Sequence, residues 1–525
     1  MKVTVCVVLL TLTGINGCRC GDGPSEKGSD NVRRGGASTA SRGTESSSIS
    51  RRTDAVGAAY FDNVHRPVLT VPLAFEKRPS SVLLIIADAM NAKHLSAYGY
   101  HRKTSPHIDA LADEGITFTN YVSNSSWTRP SYTTIITGLT KDEHGVELKG
   151  GWLLKPEIRT LAERFRRAGY RRAGYTGNPL VRKSWGFDQG YEVYEGPTTM
   201  GLKAFPWDKV LVNPALKWLE SIGDDPFFLS IFLTAPHPPY HPPKKPRKFL
   251  SQVPAGRIIE HPYKEYQTPL SRDDHDRIVA AYDDEVAYMD WQVSRLLEYL
   301  KKSGRDKDTT IVFTADHGEV FGEHNCYLHA YHMWEGTLRV PLIIKSPNIK
   351  DKGVIENTPF THIDLAPTLM DLAGIDVKHD AFKGLSIVRE AGRQRHRDRV
   401  RFSQYNAHGV RREAIRKAGL KLVHHHKVEP RAAKDLDELH PTVNQADPKN
   451  LPSLAWDRER YELFDIVADP AEMTDLFGNQ EKAEAVKELM AHLSTHLGDD
   501  SGPEEISPEL IEALKAAGYI VSEEE

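Results

Sequence analysis

Ser81-Val82-Leu83-Leu84-Ile85-Ile86-Ala87-Asp88 is the stretch that decides the fold. Every residue from Val82 to Ala87 is apolar, and polar residues flank the run. A short apolar run without the alternation of a half-exposed strand is buried on both faces, as in a parallel sheet covered by helices. Asp88 stands just past its end. Phe227-Phe228-Leu229-Ser230-Ile231-Phe232-Leu233, Thr310-Ile311-Val312-Phe313-Thr314-Ala315 and Val340-Pro341-Leu342-Ile343-Ile344 have the same texture. Tyr282 to Leu300 instead places apolar residues at Val286, Met289, Val293, Leu296, Leu297 and Leu300, a helical period. Strands alternating with helices predict an α/β fold, a mainly parallel sheet sandwiched by helices. Beyond about residue 392 charge density rises, and short strand-like pieces such as Leu420-Lys421-Leu422-Val423 and Tyr461-Glu462-Leu463-Phe464 predict a small C-terminal α+β subdomain.

Ligands of open parallel sheets bind beyond the carboxyl ends of the strands. Three of the four runs lead straight into residues that carry chemistry: Asp88, Pro236-His237 and Asp316-His317. Thr128, in Trp127-Thr128-Arg129-Pro130-Ser131, completes a candidate centre. Carboxylates with an imidazole suit a borderline divalent cation, and a metal beside a hydroxyl lowers its pKa and aims it for attack. Taken singly, a strand-end Asp is often a helix cap and Asp-His-Gly often a turn. Their coincidence at strand ends carries the reading.

These segments resemble the sulfatase family of the alkaline phosphatase superfamily, in order, over about residues 80 to 480. Leu84-Ile85-Ile86-Ala87-Asp88 and Leu95-Ser96-Ala97-Tyr98-Gly99-Tyr100 look like its opening, followed by Thr104-Ser105-Pro106-His107-Ile108-Asp109. Trp127-Thr128-Arg129-Pro130-Ser131 matches its nucleophile segment, Ala235-Pro236-His237-Pro238-Pro239-Tyr240 its Pro-His loop, and Ala315-Asp316-His317-Gly318-Glu319 its second metal-binding segment. Glu462-Leu463-Phe464-Asp465 and Asp469-Pro470-Ala471-Glu472 resemble its C-terminal signature. The resemblance implies a metal-dependent ester hydrolase with Asp88, Thr128, Asp316 and His317 around one metal ion. It implies that His237 and either His329 or His332 bind the ester's oxygens, and it gives Arg129 a substrate-binding place.

The departures from the family pattern are chemical. Family members commonly carry Cys or Ser two residues before the Pro, oxidised to formylglycine, with Arg two residues after it. Here those positions are Thr128 and Tyr132. The β-methyl of Thr bars that oxidation, so no formylglycine is expected and the Thr128 hydroxyl itself becomes the expected nucleophile. Asp88-Ala89 stands where many members have paired Asp, and His317 where calcium-binding members have Asn. An Asp-Thr-Asp-His set suits Mn²⁺, Zn²⁺ or Mg²⁺ better than an all-oxygen Ca²⁺ cage. Without a formylglycine hydrate a sulfated intermediate has no easy elimination route, so phosphoesters or phosphodiesters are favoured over sulfate esters. The alternatives are an arylsulfatase-type sulfuric ester hydrolase, a cell-surface phosphoethanolamine-type transferase, and an inactive member that binds glycans. Substrate specificity is expected on the loops 176–210 and 240–272, where Trp185, Trp207 and Tyr240 line a pocket or simply pack. A second metal would need a further Asp/His/His set. His275 is the nearest candidate, but it lies in what looks like a helix start, and His424-His425-His426 reads as solvated.

The chain carries 68 Lys+Arg against 72 Asp+Glu, a net charge of −4, which gives no reason to expect nucleic acid as a partner. Cys6, Cys18 and Cys20 crowd the first twenty residues and leave Cys326 alone in the body, so no disulfide framework is expected. Lys2 and the apolar run Val3 to Leu10 read as a signal peptide, ending at Ile15-Asn16-Gly17-Cys18, which resembles a bacterial lipobox. Lipidation of Cys18 would tether the protein to a membrane; the alternative is an ordinary cleaved signal with an incidental Cys18. The expected organisation is a signal over 1–18, a disordered Gly/Ser-rich tether over 19–75, a catalytic domain over 76–395 and the C-terminal subdomain over 396–525. The expected location is the cell envelope, periplasmic or cell-surface, and the expected partner is a sulfated or phosphorylated small molecule, glycan or lipid headgroup.

Overall fold

The computed structural model describes residue 61 and residues 64–146, 151, 153–200, 208–243, 247–254, 270–376, 382–407, 410–427 and 459–496. The proposed signal, Cys18, most of the tether and Trp207 lie outside the described residues. In chain order the strands are β1 (Ser81–Ala87), β2 (Ile116–Phe118), β3 (Tyr121–Val122), β4 (Arg171–Thr176), β5 (Val193–Glu195), β6 (Phe227–Leu233), β7 (Thr309–Ala315) and β8 (Val320–Phe321). Then come β9 (Tyr327–Leu328), β10 (Leu342–Lys345), β11 (Val354–Glu356), β12 (Phe360–Thr361), β13 (Arg401–Ala407), β14 (Val410–Lys417), β15 (Leu420–His425) and β16 (Arg460–Asp465).

Eight strands form the main sheet in the order β11-β2-β10-β7-β1-β6-β4-β5. The decisive run is the strand between its neighbours β6 and β7, parallel to both. All three are buried along their whole length, and each fully buried Leu, Ile or Phe is worth roughly 1.5–3 kcal/mol over exposure. The run around Leu342 is the exception to the parallel expectation, since β10 pairs antiparallel with both β7 and β2. The chain from β7 to β10 carries no long crossover helix, only the short helical turn Glu323–Asn325 and the short helix Glu335–Leu338. A return without a crossover reverses the strand.

Helices pack on the sheet. The longest among the described residues runs Arg272–Ser303, as the 282–300 periodicity predicts, and starts with a Ser271–Asp274 capping box that places His275 in its first turn. No helix of the described residues is long and apolar enough to cross a membrane.

The C-terminal region folds as an antiparallel sheet, β13-β14-β15-β16, over which the helix Ala483–Ser494 lays Val486, Leu489 and Leu493 against Ile415, Leu422 and Leu463. A buried ionic cluster ties this sheet to the main body. The Glu335 carboxylate accepts from Arg339 Nε at 2.8 Å and from Arg416 Nε at 2.9 Å, with Lys421 Nζ at 3.3 Å. Glu472 in turn pairs with Lys421 and accepts from the Glu335 backbone N–H at 2.6 Å. Arg416 and Lys421 come from β14 and β15, so the charges are shared between the two layers.

Candidate active site

The carboxyl ends of four neighbouring strands, β7, β1, β6 and β4, deliver Asp316, Asp88, the loop to His237, and Asn178 to one edge of the sheet. Thr128 arrives from the helix Thr128–Thr137, as its first residue. Its hydroxyl lies 3.2 Å from His317 Nε2. That position exposes the Thr128 oxygen to the unpaired N–H groups and partial positive charge of a helix start.

The polar neighbours of the two carboxylates are arranged so that one oxygen of each is held and the other left over. Asp88 Oδ2 accepts from Asn178 Nδ2 at 2.7 Å, while Asp88 Oδ1 is buried without a hydrogen-bond partner. Asp316 Oδ1 accepts from the His317 N–H at 2.8 Å and the Ala89 N–H at 3.2 Å, while Asp316 Oδ2 has no partner of hydrogen-bond geometry. His317 Nδ1 donates to the Gly318 carbonyl at 3.0 Å. Its Nε2 therefore carries the lone pair, 3.4 Å from Asp316 Oδ2 and 3.9 Å from Asp88 Oδ1. Gly318 permits the turn, since a Cβ there would collide with the Gly336 carbonyl. Ala89, beside Asp88, takes a positive φ of 55°, a conformation that costs a non-glycine residue of order 1–3 kcal/mol and clusters at functional sites.

The electrostatics describe a centre short of positive charge. Burial and then the neighbouring Asp316 push the Asp88 carboxyl well above its ordinary range, against the opposing hydrogen bond from Asn178. Burial raises Asp316 too, opposed by His317. Burial pushes His317 down to about 3, so the ring is neutral. Two leftover carboxylate oxygens and one imidazole lone pair, all within 4.8 Å of one another, are what a divalent cation needs, and a cation would offset the stacked negative charge. The residues present therefore fit a metal ion.

His329 joins this centre. Its ring lies 4.3 Å from that of His317 and 5.0 Å from that of His237, centroid to centroid. His329 Nδ1 faces Glu319 at 3.2 Å, and Glu319 accepts from the Tyr240 hydroxyl at 3.0 Å. His237 Nδ1 donates to the Pro238 carbonyl at 2.6 Å, and burial and then His329 hold the ring far below its usual pKa. Of the pair His329 and His332, it is His329 that the structure brings beside His317 and His237, whereas the His332 ring stacks on Trp334, on which His324 also stacks. Arg129 is buried, donates from Nε to the Leu180 carbonyl at 3.2 Å and lies over the Trp185 ring at 4.2 Å, with Arg182 over the same ring at 3.7 Å. Burial and then Arg182 push the Arg129 guanidinium down to about 9. His275 stands apart, its Nδ1 2.9 Å from the Tyr327 hydroxyl.

Two contributors were not singled out by the sequence. Asn178 follows β4, whose Arg171 and Arg172 make it look unlike a buried strand. Glu319 lies in the Ala315-Asp316-His317-Gly318-Glu319 segment, and its spacing of two from His317 is the sequence signal for it.

The sequence matches the Sulfatase family over residues 80–375 and the C-terminal region of N-sulphoglucosamine sulphohydrolase over 322–455. The chain belongs to the sulfatase family of the alkaline phosphatase superfamily and is an ester hydrolase of that class. It is 24% identical over 510 residues to an N-acetylglucosamine-6-O-sulfatase of Bacteroides thetaiotaomicron, covering 79% of this chain and 85% of that protein. Its fold is similar to a solved structure in complex with its substrate D-glucosamine-2-N,6-O-disulfate (TM-score 0.63, 20% identity, 80% of this chain and 97% of that one). It is also similar to the phosphonate monoester hydrolase of Agrobacterium radiobacter (TM-score 0.59, 20% identity, 80% and 96%).

Proposed function

We propose that this protein hydrolyses phosphate or phosphonate esters through a covalent intermediate on Thr128. The observation that carries the reading is the Thr128 hydroxyl at the head of its helix, 3.2 Å from His317 Nε2 and beside two carboxylates with oxygens to spare. Asp88, Asp316, His317 and Thr128 would hold a divalent ion, Mn²⁺, Zn²⁺ or Mg²⁺, whose charge makes the hydroxyl acidic and stabilises the developing negative charge. The Thr128 oxygen attacks phosphorus, the new P–O bond forms, and the bond to the leaving alcohol breaks. His237 and His329 hold the non-bridging oxygens. Their Nδ1 atoms are engaged by Pro238 and Glu319, which fixes the orientation of both rings, and the proton given up by the Thr128 hydroxyl ends on the departing alcohol. Water then attacks the phosphothreonine and frees Thr128. Phosphorus is favoured because a sulfated Thr lacks the elimination route that a formylglycine hydrate provides.

A second reading is kept because of the relatives. The Bacteroides protein is named for 6-O-sulfated N-acetylglucosamine, which supports a sulfated amino sugar as substrate. The deciding experiment compares aryl phosphodiester, phosphomonoester, phosphonate and sulfate substrates with glucosamine 6-sulfate, on the metal-reconstituted enzyme. A kcat/KM for a phosphorus ester at least ~100-fold above every sulfate is expected, and the reverse order overturns the preference. Thr128→Ala should lose at least ~10³-fold of activity, and full activity would sink the covalent step. Lipid attachment at Cys18 in the cell envelope belongs to the same proposal: Cys18→Ala should release the protein from membranes, and continued membrane retention of that variant refutes it.

A further inference from the structure

We propose that Glu413, His424 and His426 form a second metal site, taking a first-row divalent cation, zinc by the match of its ligands, on the C-terminal sheet. The stretch His424-His425-His426 reads as solvated in the sequence, yet His424 and His425 are 3% and 4% exposed. The difference comes from the sheet. Strand register places Glu413 of β14 directly opposite His424 of β15. Side chains alternate along a strand, so His426, two residues on, shares their face while His425 points to the other and binds Glu462 at 2.8 Å. On the far side of β15, His424 pairs with Tyr461 of β16, which puts Glu459 on the same face again.

The side chains converge accordingly. Glu413 Oε2 lies 3.2 Å from His424 Nδ1 and 2.5 Å from His426 Nε2, and the three ligand atoms fall within 4.8 Å of one another. The second, independent observation is at His424. Its Nε2 is 2.7 Å from Glu459 Oε1. Its Nδ1 is buried, makes no contact of hydrogen-bond geometry, and lies 3.2 Å from Glu413 Oε2. A cation between that nitrogen and that oxygen would bond to both. Zinc–nitrogen and zinc–oxygen bonds of about 2.0–2.2 Å set tetrahedral ligand separations near ~3.3 Å. The Glu413–His424 pair already has this separation, and the Glu413–His426 pair needs to open by less than about 1 Å. Glu459 would fix the ring through its other nitrogen, as carboxylates commonly do for zinc-bound histidines. Tyr461 stacks on the same ring at 4.3 Å. His426 and Glu459 are 24% and 56% exposed at their side chains, which gives the ion a path from solvent and a place for a water ligand.

The competing arrangement is a metal-free one, in which His424, His426 and Arg411 alone hold the Glu413 carboxylate. The two separate cleanly in the full chain carrying Asp316→Asn, which disables the centre at Asp88. Titration with Co²⁺ should show one bound equivalent with the intense visible absorption of tetrahedral cobalt, displaced by Zn²⁺. Both signals should vanish on adding His426→Gln, a change at a partly exposed position. Against an otherwise unaltered chain, His426→Gln should lower tightly bound zinc by one equivalent and abolish the zinc-dependent rise in melting temperature. Absence of the tetrahedral cobalt signal in Asp316→Asn, or an unchanged zinc equivalent in His426→Gln, overturns the proposal.

Discussion

Asn178→Ala probes the candidate centre through a residue that is neither nucleophile nor ligand. Asn178 bridges two elements: its Nδ2 donates to Asp88 Oδ2 at 2.7 Å, and its Oδ1 accepts from the Leu180 N–H at 2.7 Å. The first of these favours the charged form of a carboxyl that burial and Asp316 both drive toward protonation. Alanine removes it. A hydrogen bond to a charged group contributes about 1.5–3 kcal/mol, so protons compete better for Asp88 and the carboxylate loses its fixed orientation. At 1.4 kcal/mol per factor of ten, metal affinity should fall roughly 10- to 150-fold, the scale known for groups that orient metal ligands. The assay is ester hydrolysis against free metal concentration in a chelator buffer. At saturating metal, kcat should stay within about tenfold of the parent, because Thr128 and its helix are untouched. A metal dissociation constant unchanged within about threefold, or a kcat loss that saturating metal does not restore, would refute this account of the site.

Two further outcomes follow from groups outside the centre. Glu335→Gln strands Arg339, Arg416 and Lys421 in the interior with one fewer negative charge, and should cost roughly 3–5 kcal/mol, read as faster thermal inactivation and earlier proteolysis of the C-terminal sheet; a loss under about 1 kcal/mol would mean that the cluster is not what docks the two layers. Asp208 accepts from the Thr234 and Ala235 N–H groups at 2.6 and 3.1 Å, and burial raises its carboxyl to about 6. Between about pH 4 and 6 the folded chain keeps a proton that the unfolded chain has released, so this contribution to stability is full below that window and is lost as pH rises through it, by up to about 3 kcal/mol. Unfolding of the parent and of Asp208→Asn at pH 4.5 and 7.5 should show the parent losing ground to the variant at the higher pH, and a gap that does not change sinks the assignment.

Much of the main sheet is legible in the sequence because its central strands are buried on both faces. Continuous apolar runs then mark β1, β6 and β7, and the polar residue that ends each run marks the working edge. The same logic misses β4, an outer strand that opens with two arginines, and so misses Asn178, which follows it. It also cannot give the direction of β10, because an apolar run reads the same both ways and only the connection decides. Positions such as Asp88, Thr128, Asp316 and His317 announce themselves by falling at strand or helix ends. The choice between His329 and His332 depends on three residues of irregular backbone, with Leu328, Ala330 and Tyr331 all at positive φ, and periodicity does not reach into such segments. The histidine run at 424–426 misleads because exposure of a polar strand depends on what lies over each face. Here Glu413, Glu459 and Glu462 cover both.

Because β1 pairs directly with β7, Ala89 and Asp316 touch across 227 positions of sequence. During synthesis at about 5–20 residues per second, the first half of the candidate centre waits roughly 10–45 s for the second to be made. Until then β1 has no partner on that side, and its row of apolar residues stands at an open sheet edge. A nascent chain of this protein thus passes through a stretch of time in which it is neither folded nor able to act on any ester. In that interval aggregation at the open edge competes with folding.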